Sequence, residues 1–173
     1  QRIETLSNYD VYLSDLQQKL KQKETELDAV CKKVSEIRRR EAKKLTRQIR
    51  SALIDLNFLD VKFELQFTKK EDYTASGYDE AEFLISTNPG EPVRPLTKVA
   101  SGGELSRIML AIKAVLADCD EVGTLIFDEI DTGISGRTAQ MVSEKMNVIS
   151  KDHQIICITH LPQIAAMADT HFL

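Results

Sequence analysis

The stretch Thr124-Leu125-Ile126-Phe127-Asp128-Glu129 decides how this chain is read. It is a short apolar run of strand length with two carboxylates at its carboxyl end. So short and apolar a run fits a buried strand of an α/β sheet, covered on both faces. The carboxylates then lie at the sheet edge where such folds bind ligands. There Asp128 is placed to hold Mg²⁺, directly or through water. Glu129 is placed to orient or deprotonate an attacking water. Six acids and no base fall between 118 and 131 (Asp118, Asp120, Glu121, Asp128, Glu129, Asp131). A cation or solvent must relieve that crowding. The same residues also suit a polar loop after a core strand, so context has to choose.

Downstream, Ile155-Ile156-Cys157-Ile158-Thr159-His160 is a second apolar run ending in a polar residue. With a helix over 137–150 between them, the strands 123–127 and 154–159 are expected to pair in parallel. His160 then lies at the same edge as Asp128 and Glu129, whereas His153 and His171 lack such placement. A helix over 161–168 and the start of a strand at 170 follow. Upstream, Ala100-Ser101-Gly102-Gly103-Glu104 precedes a helix of about 103–117. Its apolar face carries Leu105, Ile108, Met109, Ile112, Val115 and Leu116. Serine caps free N–H groups, glycines admit close approach, and a helix N-terminus attracts phosphate. An ordinary serine-capped helix remains equally open on these residues alone. Gly133-Ile134-Ser135-Gly136 is one residue short of a nucleophile elbow, which excludes a serine hydrolase of that type.

Nearer the start, Val61, Phe63, Leu65 and Phe67 alternate with Lys62, Glu64, Gln66 and Thr68, the pattern of a half-buried strand. A polar turn region with Gly77 leads to a second strand at Ala81–Thr87, so a hairpin with a long loop is expected over 61–87. Asn88-Pro89-Gly90-Glu91-Pro92 and Pro95 then break the chain. Residues 1–56 read as one helix. Leu6, Tyr9, Leu13, Leu16, Leu20, Leu27, Val30, Val34 and Ile37 recur alternately every three and four residues, with Lys23 the exception. That is a coiled-coil seam, and a helix of this length spans about 80 Å. The stripe then shifts phase to Leu45, Ile49, Leu53 and Leu56. The seam needs a partner strand that this sequence does not contain.

The 173 residues carry a net charge of −4, which excludes a general basic coat for nucleic acid. Tryptophan is absent and aromatics are 6%, too sparse for a base-stacking platform. No apolar run reaches the roughly 18 residues of a membrane span. Cys31, Cys119 and Cys157 have neither metal-ligand nor disulfide spacing, and a reducing cytoplasm is the simplest compartment. The chain opens inside a helical pattern at Gln1 and stops on His171-Phe172-Leu173, so a piece of something longer is expected.

Ser101-Gly102-Gly103-Glu104, the strand with Asp128-Glu129, Asp131 beyond it and His160 at the next strand end resemble the signature, Walker B, D-loop and H-loop order of an ABC-type ATPase head. A coil entering directly is similar to the SMC and Rad50 class. The flanking strings Val99–Leu110, Phe127–Gly136 and Thr159–Ala165 resemble a bacterial DNA-repair branch of that class, acting on double-strand breaks. The resemblance implies an α/β fold: the C-terminal lobe of a P-loop head over 57–173, carried on a coiled-coil helix over 1–56. It implies ATP and Mg²⁺, with Asp128 on the metal, Glu129 on the hydrolytic water and His160 on the γ-phosphate. Ser101, Gly102, Gly103 and Glu104 would meet the nucleotide of a second head in a homodimer, and Asp131 would help couple the two sites. No G-x-x-x-x-G-K-[ST] occurs. The resemblance places that loop in an N-terminal lobe reached through an antiparallel coil strand, and this piece alone is expected to be inactive. It implies a bacterial cytoplasmic, nucleoid-associated protein with no membrane partner.

Residues 31–50 hold nine basic and two acidic side chains, a local +7 that leaves −11 elsewhere. Arg38, Arg39, Arg40, Lys43, Lys44 and Arg47 are candidates for sequence-independent contact with DNA phosphates. A solvated coil face is the plainer account of them. The alternatives to a repair ATPase are a coiled-coil assembly module with a non-hydrolysing head, or another SMC- or Rad50-type ATPase.

Overall fold

The structure, a computed structural model, describes residues 2–99, 101–119 and 121–172, with side chains given from Tyr9 onward except at Asp118. Ala100, Asp120 and the side chains of Leu6 and Asp118 lie outside the described residues. The chain divides into two compact units, Gln1–Glu41 with Phe67–Glu80, and Ala42–Gln66 with Ala81–Leu173.

Helix α1 (Arg2–Asp55) runs as the heptads predict. In the first unit most of its seam stands open, and Val34 is half-buried. Tyr9, Leu13, Leu16, Leu20, Leu27, Val30 and Ile37 are all exposed. In the second unit the shifted stripe is covered, with Ile49, Leu53 and Leu56 fully buried. The phase slip thus marks where the helix stops presenting a seam and starts contributing to a core. The helix ends in a left-handed Asn57 at φ 70°. The Phe58 N–H donates to Leu53 O at 3.1 Å and the Asn57 N–H to Ile54 O at 3.0 Å. This cap satisfies the last carbonyls, and asparagine tolerates the conformation.

Strands β1 (Lys62–Thr74) and β2 (Gly77–Ser86) are longer than the alternation predicts. In place of a long loop, a tight turn at 75–76 joins them. In the first unit, the polar residues read as loop find partners on α1 instead of an apolar core. Asp79, its side chain 2% exposed, accepts from Ser35 Oγ at 2.8 Å and pairs with Arg38 and Arg39. Arg38 also donates to Ser76 O at 2.7 Å, and Tyr73 donates to Asp28 at 3.1 Å. A third strand, β3 (Arg94–Pro95), pairs antiparallel with β2. The order β1-β2-β3 leaves Pro95 on the edge, where its missing N–H is tolerated.

Helices α2 (Gly102–Leu116) and α3 (Gly136–Ile149) pack together in the second unit. Strands β4 (Thr124–Phe127) and β5 (Gln154–Cys157) pair in parallel, Phe127 opposite Cys157. Each buried Ile or Leu of this core, Ile108, Leu110, Ile130 and Ile149 among them, contributes about 2–3 kcal/mol. The parallel pairing is as expected, but the sheet is covered on one face only. Leu125 and Phe127 point into the core, while Ile126 is 66% and Ile158 59% exposed. Helix α4 (Pro162–Ala165) is shorter than predicted. No strand forms at 170 among the described residues, where no neighbouring strand offers hydrogen bonds.

Candidate functional site

The site belongs to the second unit and is built on the carboxyl ends of β4 and β5. The Ile158 N–H donates to Phe127 O at 3.0 Å, which extends the parallel ladder by one bond. Asp128 and His160 therefore leave the sheet from the same end. Asp128 is exposed, and its Oδ1 accepts the Glu129 N–H at 2.8 Å. Glu129 adopts φ 55°, a left-handed conformation that a residue with a β-carbon enters only when its surroundings demand it. The demand comes from a turn. The Thr132 N–H donates to Glu129 O at 3.0 Å, while Ile130 is drawn fully into the core.

Helix α2 is fastened to this turn. Ser101 caps it, Oγ accepting the Glu104 N–H at 3.3 Å. Ser106 Oγ donates to Asp128 O at 2.6 Å. Arg107, 7% exposed, donates to Ile130 O at 3.2 Å and Thr132 O at 2.9 Å, and its guanidinium stands 5.6 Å from the centre of the Phe58 ring. Burial draws the Arg107 guanidinium below its usual value, and the charge of Glu104 opposes that. The two glycines have distinct neighbours. A β-carbon at Gly103 would stand 2.9 Å from Glu129 O and 2.9 Å from both Cβ and O of Thr132. One at Gly102 would overlap the carboxylate of Glu129. In this chain, therefore, both glycines of the signature string admit close approach by the 129–132 turn.

Asp131 is 4% exposed and faces the chain's own β5 end. Its Oδ2 accepts from Thr159 Oγ1 at 2.6 Å and from the His160 N–H at 2.8 Å, and lies 3.1 Å from His160 Nδ1. Burial acts to raise the Asp131 carboxyl. The Thr159 hydroxyl, the His160 N–H and the facing imidazole outweigh it, so the group is held below its usual value. Beneath, burial and the charges of Asp131 and Asp128 push the Cys157 thiol up to about 11.

The structure thus gathers Gly102, Gly103, Asp128, Glu129, Asp131 and His160 around one sheet edge and one helix start. Of the basic candidates, Arg38 and Arg39 are engaged with Asp79, and Arg40 pairs with Glu41 at 2.9 Å. Lys43, Lys44 and Arg47 are exposed on α1. Sequence reading passed over Ser106, Arg107, Thr132 and Thr159. Arg107 had a signal: with Gly103 and Ala111 it recurs every four residues, so a charged side chain was set on a buried face. Asp128 is exposed, and its second carboxylate oxygen, Oδ2, has no hydrogen-bond donor among the described residues. That suits Mg²⁺, which takes its remaining ligands from phosphate and water. Among the described residues no three His, Cys, Asp or Glu form a larger cation site.

A parallel β-pair with carboxylates at its tip, a serine-capped helix against them and a long coil helix have the fold of a lobe of an SMC-like head. The Smc head domain with an extended coiled coil from Pyrococcus furiosus, solved bound to the C-terminal domain of ScpA, matches 75% of this chain and 30% of its own, with TM-score 0.54 and 23% identity. That likeness concerns the fold. By sequence the chain belongs, as a C-terminal part, with the RecN DNA repair proteins. It is 43% identical to RecN of Halalkalibacterium halodurans over 175 residues, 99% of this chain and 31% of that protein. It is 41% identical to RecN of Bacillus subtilis over 186 residues, 99% of this chain and 32% of that protein. It thus spans about a third of the length of these relatives. No protein-family model matches the chain.

Proposed function

We propose that this chain supplies the C-terminal lobe, residues 57–173, of an ATP-hydrolysing head in bacterial double-strand-break repair, with 1–56 as a coil strand. The observation carrying this reading is the exit of Asp128, Glu129 and His160 from one end of β4 and β5. Asp128 would hold Mg²⁺, which supplies positive charge against the phosphates during transfer. Glu129 orients the attacking water, and His160 faces the terminal phosphate. Ser101, with the free amides that begin α2, serves the nucleotide held by a second head. A dimer of heads then closes only with nucleotide between them and opens after hydrolysis. An N-terminal lobe provides the phosphate-binding loop, and an antiparallel strand covers the open seam of α1. Lys43, Lys44 and Arg47, with Arg40, would contact DNA phosphates without reading sequence. Such a protein works in the cytoplasm at the nucleoid. Among the described residues no helix is long and apolar enough to cross a membrane.

The test uses the complete protein. Glu129→Gln is expected to lower ATP turnover by at least about a hundredfold and to leave an ATP-dependent dimer visible by light scattering. Ser101→Arg is expected to abolish that dimer. Full turnover in both variants, or vigorous turnover by the 173-residue chain alone, would refute the reading.

A further inference from the structure

An imidazole at a phosphate edge is useful only if a chosen nitrogen faces outward. His160 lies beyond the last residue of β5, and its side chain is 75% exposed, so no packing orients it. What grips it is Asp131. That carboxylate is 4% exposed; its Oδ2 accepts from Thr159 Oγ1 and from the His160 N–H, and it stands 3.1 Å from His160 Nδ1. The backbone on either side of Asp131 is itself held, since the Arg107 guanidinium donates to both Ile130 O and Thr132 O. Oδ2 is therefore a fixed point, and the ring has to adapt to it. A carboxylate only accepts, so an approach of 3.1 Å favours the tautomer with the proton on Nδ1, which leaves Nε2 as the outward atom.

We propose that Asp131 is the positioning residue for His160, holding the ring with its proton on Nδ1 and its Nε2 turned out from the β4–β5 edge. An Asp131–His160 pair then meets the phosphate. The proposal rests on the nucleotide reading for its purpose, and on the geometry alone for the pair itself. It adds to the expectation that this aspartate helps couple two sites a partner for it within its own chain.

Two measurements test it. In the 173-residue chain, histidine ¹⁵N NMR at neutral pH should find His160 with the proton on Nδ1. Asp131→Asn removes the charge and one of the two acceptor oxygens, and should weaken that preference. Thr159→Val removes a bond to the same carboxylate without touching the ring, and should leave it. A proton on Nε2 in the unaltered chain, or equal shifts in both variants, overturns the pair. In the complete protein, Asp131→Asn should lower kcat at least about tenfold, with KM for ATP within about twofold. Combining it with His160→Gln should lower kcat no further than His160→Gln alone. Effects that multiply overturn the proposal. Should the complete protein hydrolyse no ATP, the function proposed above fails, and the NMR result still decides the pair.

Discussion

The two glycines at the start of α2 stand side by side in sequence, yet alanine at each should have opposite results. At Gly103 the new methyl would meet three atoms at 2.9 Å: Glu129 O, Thr132 O and Thr132 Cβ. Two are backbone oxygens already fixed, one by the Thr132 N–H and the other by Arg107. They cannot yield without breaking those bonds. Overpacking of this kind costs about 1–3 kcal/mol, against a gain of up to about 1 kcal/mol from replacing a helical glycine. The balance is roughly 1–2 kcal/mol of lost stability, or about 2–8 °C in Tm for a chain this size. At Gly102 the methyl would meet only the far end of the Glu129 side chain, an exposed carboxylate that can swing aside. Stability should then change by less than about 0.5 kcal/mol. Thermal unfolding of the two variants, followed by circular dichroism, makes the comparison. The packing argument fails if Gly103→Ala melts with the unaltered chain, or if Gly102→Ala is the less stable of the two.

Arg107→Met should strip the donors from Ile130 O and Thr132 O and cost about 2–4 kcal/mol in urea unfolding. Arg107→Lys should not restore it, because one ammonium cannot reproduce a planar fork. The Asp131 carboxyl is held low in the folded chain. Its contribution is therefore present above the ordinary carboxyl pKa and is lost as pH falls through the lower folded value. Between about pH 5 and the acid limit, Asp131→Asn should show a shallower decline in stability than the unaltered chain. Of the three thiols, Cys119 is exposed, Cys31 is buried, and Cys157 is pushed up to about 11. A colour-forming disulfide reagent at pH 8 should label Cys119 fast and the other two slowly. Peptide mapping that found Cys157 labelled first would contradict this.

Periodicity made α1 and the first half of β1 legible, because a repeat is a property of the chain itself. The parallel β4–β5 pair was equally plain, since two short apolar runs flanking a helix have few other arrangements. What escaped depended on partners far along the chain. Lys69–Thr74 looks like loop until Asp28 is known to receive Tyr73. Asp131 looks solvent-facing until Thr159 and His160 are brought to it from 28 and 29 residues away. The glycines at the start of α2 admit close approach by another group. Which group approaches is set by the 129–132 turn, far along the chain, a contact that no local pattern announces.

The bare face of β4 and β5 governs how this chain behaves in a tube. Ile126, Ile156 and Ile158 offer water three branched hydrocarbons in adjacent rows, and such surfaces bind fluorescent dyes and one another. At the concentration a spectrometer requires, stickiness will be the first practical obstacle. Threonine at 126 keeps the branched shape a strand prefers and blunts the grease, so the cleanest sample for the measurements on the 173-residue chain carries Ile126→Thr.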